Sequence, residues 1–191
     1  MRLRVVQFPL VRLFVLGGVM FYFMGWAQSW LEAYFDRPPI NLLIQIVLGL
    51  AAIALYIAYG TFIERRDVSE LSRPGIAREW GIGALIGAGL YTLCVVLLML
   101  LGYYKVEGLN PLAFLLPNLA MAIKAGVFEE LLFRGVLHRS VEALLGSWAG
   151  ILASSFAFGF LHLLNPAATL GGAIYISIEA GLLLAAAYMV T

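Results

Sequence analysis

The sequence predicts an all-α fold, a polytopic transmembrane helical bundle of about six spans. Hydrophobic residues make up 63% of the 191 positions and charged residues only 12%, about half the share found in a soluble domain. The mean hydropathy is +0.96. The apolar runs are continuous and helix-length, whereas a transmembrane barrel needs short segments of alternating polarity. We therefore expect one membrane-embedded domain covering residues 1–191.

Six apolar segments alternate with polar or helix-breaking stretches, by the rule that about 20 apolar residues cross a bilayer. One break is Arg37-Pro38-Pro39, and the longest polar stretch runs from Glu64 to Trp80. The predicted spans are residues 13–31, 40–63, 81–103, 111–137, 148–164 and 170–190.

The distribution of arginine predicts the orientation in the membrane. The net charge is only +1, so nothing in the composition favours a nucleic acid or an acidic partner. Positive residues concentrate in the stretches that lie on one side when the spans are threaded in order, which predicts a cytoplasmic N-terminus. These residues are Arg2, Arg4, Arg12, Arg65, Arg66, Arg73, Arg78, Arg134 and Arg139.

The fourth segment carries three charges within the apolar stretch VFEELLFRG. Glu130 and Arg134 are four residues apart, so they lie on one helix face and are predicted to form an ion pair, a spacing that suits a bidentate contact. Glu129 projects about 100° away from Glu130 and needs another explanation for its place among apolar residues. Protonation, a distant partner or a water-filled cavity would each supply one.

The distant partner predicted for Glu129 is His162, in the stretch FAFGFLH of the fifth segment. Gly146 is the natural break between the two segments. Glu129 and His162 lie at nearly equal distances from that break, so an antiparallel hairpin brings them to one depth. A carboxylate and an imidazole at one depth can activate water or bind a metal. They can also be a structural pair that holds two helices together.

Two motifs on these segments resemble a known family. EELLFR, Glu129 to Arg134, matches EExxxR and is followed by Gly135. FGFLH, Phe158 to His162, matches FxxxH, with 27 residues between Arg134 and His162. Together they resemble the CPBP family of intramembrane proteases, which includes the CAAX prenyl proteases and the Abi-type self-immunity proteins. The resemblance covers residues 112–191, while the first three spans match only as generic membrane helices.

The resemblance implies an intramembrane endopeptidase that hydrolyses a peptide bond near the membrane. Glu129 and His162 would be catalytic and activate water, while Glu130, Arg134 and Phe158 would support them. The expected partners are membrane lipid and a peptide or prenylated-protein substrate. The protein is expected to be a multi-pass integral protein of a bacterial plasma membrane. We expect no cofactor, although a divalent metal at Glu129 and His162 stays open.

One family motif has no counterpart in this sequence. The family carries HxxxN or HxxxD on a later helix, where it would stabilise an oxyanion. The sequence ends at Thr191, and His162 is followed three residues later, not four, by Asn165. We expect the motif region to be truncated by about one helix, as a fragment or a diverged member. We also expect weak proteolysis unless such a helix is restored.

Two other functions remain open. A non-catalytic membrane scaffold or bacteriocin-immunity-type protein would keep the fold without turnover. A small proton-coupled transporter would use Glu129, Glu179 and His162 as a proton path, although no inverted repeat supports it. Among the remaining charged residues, His138 is expected at the membrane interface, and Lys124 is expected to pair with an acid or to reach towards the membrane surface.

Overall fold

The structure is a computed structural model that describes residues 8–71 and 76–190, and these residues form helices joined by turns and irregular segments. Within those two ranges no strand is present, and six helical segments are long and apolar enough to cross a membrane. The predicted all-α polytopic bundle is therefore confirmed. Arg2, Arg4 and Arg73, which entered the orientation prediction, lie outside the described residues.

The helices follow the predicted order, with ends shifted by several residues. Pro9 and Pro38 begin the first two helices, where a missing N–H costs nothing. The α-helices are α1 Pro9–Ala33, α2 Pro38–Ala58, α3 Ile76–Leu100, α4 Leu115–Lys124, α5 Arg139–Leu145, α6 Ser147–Leu161, α7 Leu170–Ile176 and α8 Leu182–Val190. Turns of π-helix extend or join them at Tyr59–Ile63, Ala125–Glu129, Leu131–His138 and Ser177–Gly181, and 3₁₀ turns lie at Ser69–Leu71, Leu112–Phe114 and His162–Leu164.

The chain divides into two compact units. One unit comprises Met1–Arg66 and Leu115–Thr191, and the other comprises Asp67–Phe114, which contains α3. Both sequence motifs belong to the first unit, so the site can be described within it alone.

The segment that carries the first motif is longer and more irregular than predicted. Helical structure runs without a break over Leu112–Leu145, beyond the predicted end at residue 137. Its central part is wound as π-helix rather than as a regular α-helix, a form often found at functional sites. The segment ends where predicted breaker Gly146 adopts φ 86°, a conformation that glycine reaches without strain.

Buried polar groups and glycines join the helices of the first unit. On α2, the amide groups of Asn41 and Gln45 donate hydrogen bonds of 2.9 and 3.1 Å to the carbonyl oxygens of Leu31 and Ala27 on α1. At the contact between α6 and the C-terminal segment, a Cβ at Gly181 would lie 2.8 Å from the carbonyl oxygen of Ser155. Small residues therefore allow these two segments to approach at backbone distance, as in many membrane bundles.

Candidate active site

A cavity of about 580 Å³ lies between α1, the segment Leu112–Leu145 and the end of α6. Its size is within the range of about 300–1,000 Å³ that is usual for small-molecule sites. Apolar side chains form most of its wall, and the polar ones come from three different helical segments. The lining residues are Phe21, Met24, Gly25, Gln28, Glu32, Lys124, Glu129, Phe133, Phe158, Leu161, His162, Leu164, Asn165 and Pro166.

Glu129 and His162 both line this cavity. Glu129 is the last residue of the π-helical turn Ala125–Glu129, and His162 is the first residue of the 3₁₀ turn after α6. Each side chain is partly exposed within the first unit. The nearly equal distances of Glu129 and His162 from Gly146 predicted one depth for both residues, and both line the same cavity. Their chemical roles remain a proposal.

A hydrogen bond fixes the tautomer of His162. Its Nδ1 lies 2.8 Å from the carbonyl oxygen of Phe158. Because a carbonyl oxygen only accepts, Nδ1 must carry the proton. In the neutral ring, Nε2 is then left with its lone pair. The local fold therefore prepares this imidazole to accept a proton or a hydrogen bond from a molecule in the cavity.

Glu130 and Arg134 form the ion pair that their spacing predicted, but not the bidentate hydrogen-bonded contact that the spacing suits. Nη1 of Arg134 lies 3.1 Å from Oε1 of Glu130, and the arginine side chain is 2% exposed while the glutamate is 40% exposed. Among the described residues, the guanidinium nitrogens make no hydrogen bond of good geometry. The buried charge is instead compensated by this ion pair and by an aromatic ring.

That ring belongs to Phe158, whose face lies 5.0 Å from the guanidinium carbon of Arg134. Such cation–π contacts are strongest when the cation is desolvated. Phe133 packs edge-on against Phe158, with 5.1 Å between ring centroids. Phe158 also lies beside the ring of His162, at 5.0 Å between centroids. Glu130, Arg134, Phe158 and His162 therefore form one connected set, in which the motif phenylalanine links the ion pair to the histidine.

The first span contributes residues to the cavity that the sequence motifs did not indicate. Nζ of Lys124 donates a 2.7 Å hydrogen bond to Oε1 of Gln28, and Nε2 of Gln28 donates one of 2.7 Å to Oε1 of Glu32. The sequence predicted that Lys124 pairs with an acid or reaches towards the membrane surface. Its observed partner is instead the side-chain amide of Gln28. Gln28 and Glu32, four residues apart on one face of an apolar span, were the signal that could have indicated this wall.

Two other candidates lie elsewhere. Glu179 is exposed and does not line the cavity, so the transporter hypothesis lacks its third group there. His138, expected at the interface, is fully buried. The ring of Tyr188 packs edge-on against it at 5.2 Å, and Oγ of Ser154 lies 3.5 Å from its Nδ1. The positions of the predicted spans had placed His138 at the membrane surface. Packing of the neighbouring helices near the end of the segment Leu112–Leu145 buries its ring instead.

Metal ions in proteins are bound by side chains that converge on one point. Within residues 8–71 and 76–190, no group of three or more His, Cys, Asp or Glu side chains converges on one point. A catalytic zinc site uses three protein ligands, and Glu129 with His162 supplies two. These residues therefore do not by themselves fit a resident metal.

Comparison with known proteins bears on the motif region. Residues 110–191 match the family model described as Rce1-like, type II CAAX prenyl endopeptidase. We refer to residues 110–191, which are similar to that family, as the Rce1-like region. The match confirms the resemblance to the CPBP family that the two motifs indicated. The Rce1-like region contains both motifs and most of the cavity wall, while the wall from α1 lies outside it. No curated protein and no solved structure matches the chain.

Proposed function

We propose that this protein is an intramembrane endopeptidase of the CPBP type, in which Glu129 and His162 activate a water molecule. The observation that carries the proposal is that this acid and this imidazole, from two helical segments, line one largely apolar cavity. An acid and a base positioned around one water are the parts needed for general acid–base catalysis. The Rce1-like match supports the same reaction class.

In the proposed reaction, the Glu129 carboxylate accepts a proton from water while the water oxygen forms a bond to the carbonyl carbon of the peptide. Nε2 of His162, unprotonated because Nδ1 donates to Phe158, accepts the second hydrogen bond from the water and orients it. The tetrahedral intermediate then collapses, the C–N bond breaks, and the proton held by Glu129 passes to the leaving amine. Water is consumed, and the products are a carboxylic acid and an amine.

The negative oxygen of the intermediate requires donors, which often supply the largest electrostatic part of acyl-transfer catalysis. Asn165 and Lys124 both line the cavity and carry the donors suited to that task. An ammonium has three N–H bonds, and one of those on Lys124 is given to Gln28. We assign Asn165 and Lys124 as the oxyanion donors of the proposed site.

The expected substrate is a peptide or prenylated protein whose apolar part enters from the lipid. Phe21 and Met24 of α1 and Leu161 and Leu164 near the end of α6 line the cavity. Burial of apolar surface there is favourable at about 25 cal/mol per Å². The polar wall would then receive the peptide bond.

The test is hydrolysis of a prenylated peptide by the chain in lipid nanodiscs, measured by mass spectrometry of the products. It is run on the 191-residue chain and on a fusion that adds a helix carrying HxxxN, which we expect to be faster. We expect Glu129→Gln to lower the rate by about 10²–10⁴-fold, the usual contribution of a general base.

Glu179→Gln is the matched control, because Glu179 is also an acid in an apolar span but does not line the cavity. It is expected to keep the rate. Cleavage that survives Glu129→Gln, or that is absent from both forms of the protein, contradicts the proposal. In the second case a non-catalytic role becomes the better account.

A further inference from the structure

One face of α1 forms a long wall of the cavity. The residues of α1 that line it are Phe21, Met24, Gly25, Gln28 and Glu32. Successive members are one, three or four residues apart, so they share one face of the helix. From the first to the last, this face extends about 16 Å at the rise of an α-helix. It is therefore long enough for about five residues of extended peptide, at about 3.3 Å each.

Two contacts set the register between α1 and the segment that carries Glu129. Nζ of Lys124 bonds Oε1 of Gln28. Four residues later on that segment, the ring of Phe128 packs edge-on against Phe23, with 5.2 Å between the centroids. The segment therefore runs antiparallel to α1. Glu129, which follows Phe128 directly, lies near the level of Phe23 along the axis of α1.

Glu32 lies at the far end of this wall from Glu129. It is nine residues beyond Phe23, which is about 13 Å along the axis of α1. A peptide whose scissile bond lies at Glu129 would therefore place a residue about four positions away beside Glu32, if it follows the wall in an extended form. Glu32 is exposed and is the last residue but one of the span Pro9–Ala33, where a charge avoids the cost of the bilayer centre.

The Glu32 carboxylate has no ion-pair partner among residues 8–71 and 76–190. Its hydrogen bond there comes from a neutral group, Nε2 of Gln28, at 2.7 Å to Oε1. The lysine of the cavity wall, Lys124, bonds the oxygen of the same amide, so the amide of Gln28 separates the two charges. Oε2 of Glu32 can therefore accept from a cation in the cavity.

The wall changes from apolar to acidic along its length. Phe21 and Met24, the apolar members, lie on either side of the level of Phe23, where Glu129 is also found. Glu32 lies at the opposite end. A ligand that matches the whole wall has an apolar group near Glu129 and a positive charge about four residues away.

We propose that Glu32 is a specificity-determining residue, which binds a lysine or arginine side chain of the substrate about four residues from the bond that is cleaved. This inference rests on the proposed function for the identity of the ligand as a peptide substrate. A carboxylate binds a basic side chain through charge-assisted hydrogen bonds. The preferred substrate is then an apolar or prenylated peptide with a basic residue nearby, rather than a wholly apolar one.

The test measures binding of fluorescent prenylated peptides to the 191-residue chain in maltoside micelles, by fluorescence anisotropy. The peptides have one composition and differ only in the distance of their single lysine from the prenylated cysteine. We expect the tightest binding when that distance is about four residues. Glu32→Gln keeps an acceptor for Gln28 and is expected to weaken binding of this peptide by about fivefold, the upper value for one exposed ion pair. Glu32→Lys should instead prefer a peptide with glutamate at the same position.

Asp36→Asn is the matched control, because Asp36 is an exposed acid just after α1 that does not line the cavity. It is expected to keep the preference for the lysine position. Equal affinity for every lysine position, a preference that survives Glu32→Gln, or an equal loss in Asp36→Asn overturns the proposal.

Cleavage of the same peptides is followed by mass spectrometry, so that the two proposals are separated. A lysine preference that depends on Glu32, without cleavage, supports the binding site and contradicts the proposed function. Cleavage without such a preference contradicts the role of Glu32 and leaves the proposed function in place.

Discussion

At the scale of single residues, Glu64 is the acid whose protonation bears most directly on the contacts between helices. Burial raises the pKa of the Glu64 carboxyl, but hydrogen bonds from Arg139, Arg66 and Arg12 outweigh that effect and hold the pKa below its ordinary value of 4.5. The folded protein therefore binds this proton less tightly than the unfolded chain does. The contribution of Glu64 to stability is complete above pH 4.5 and is lost as the pH falls through the folded pKa.

We accordingly predict that acid destabilises the protein partly through Glu64. The measurement is the thermal midpoint of the detergent-solubilised chain between about pH 7 and about pH 3. Glu64→Gln should lower the midpoint at neutral pH, because three arginines lose their carboxylate, and it should reduce the slope below pH 4.5. Glu179→Gln should keep the wild-type slope. An unchanged slope in Glu64→Gln would contradict the pKa assignment.

Single residues could be predicted where spacing along one helix decides the contact. Glu130 and Arg134 were found because residues four apart share a helix face, and Glu129 and His162 because Gly146 marks the turn. Contacts between distant segments were not visible. The partner of Lys124 is Gln28, on the first span, and no spacing rule links two positions so far apart in sequence.

At the scale of elements, the contact of α6 with the C-terminal segment depends on Gly159, which lies between Phe158 and His162. A Cβ at Gly159 would meet Oγ of Ser177 and the carbonyl oxygen of Ala173, and would lie 2.6 Å from the backbone nitrogen of Ser177. Backbone atoms cannot rotate away as a side chain can. The two segments would have to separate to admit even one methyl group.

We therefore predict that Gly159→Ala destabilises the protein by about 1–3 kcal/mol, the usual cost of overpacking. The measurement is denaturant unfolding in detergent micelles. Gly171→Ala on α7 is the control, because a Cβ there meets nothing within 4 Å, and it should change stability little. If the two variants were equally stable, the close approach would not exist in the folded protein.

The existence and order of the elements could be predicted, whereas their internal geometry could not. Apolar length identified six spans, and proline and glycine marked their ends. The π-helical winding over Leu131–His138 leaves no trace in apolar periodicity, because nearly every residue of that stretch is buried. The helical period is read from the alternation of apolar and polar faces, and a segment that is buried on all sides has no polar face to reveal it.

At the scale of the whole molecule, the candidate site combines residues inside the family match with residues outside it. The Rce1-like region, residues 110–191, supplies Glu129 and His162. Another part of the cavity wall comes from α1, through Phe21, Met24 and Gln28. Sequence motifs could therefore indicate the proposed reacting groups. The shape of the cavity could not be predicted from them, because it depends on how α1 packs against the segment Leu112–Leu145.

The most direct measurement of the central claim is a double-mutant cycle between Glu129 and His162. Peptide hydrolysis is measured in nanodiscs for the wild type, Glu129→Gln, His162→Gln and the double variant. If the two groups act on one water, the double variant should lose about as much activity as the more damaging single variant, because groups that act as a unit are not additive. Losses that multiply across the two substitutions would show independent roles and contradict the account.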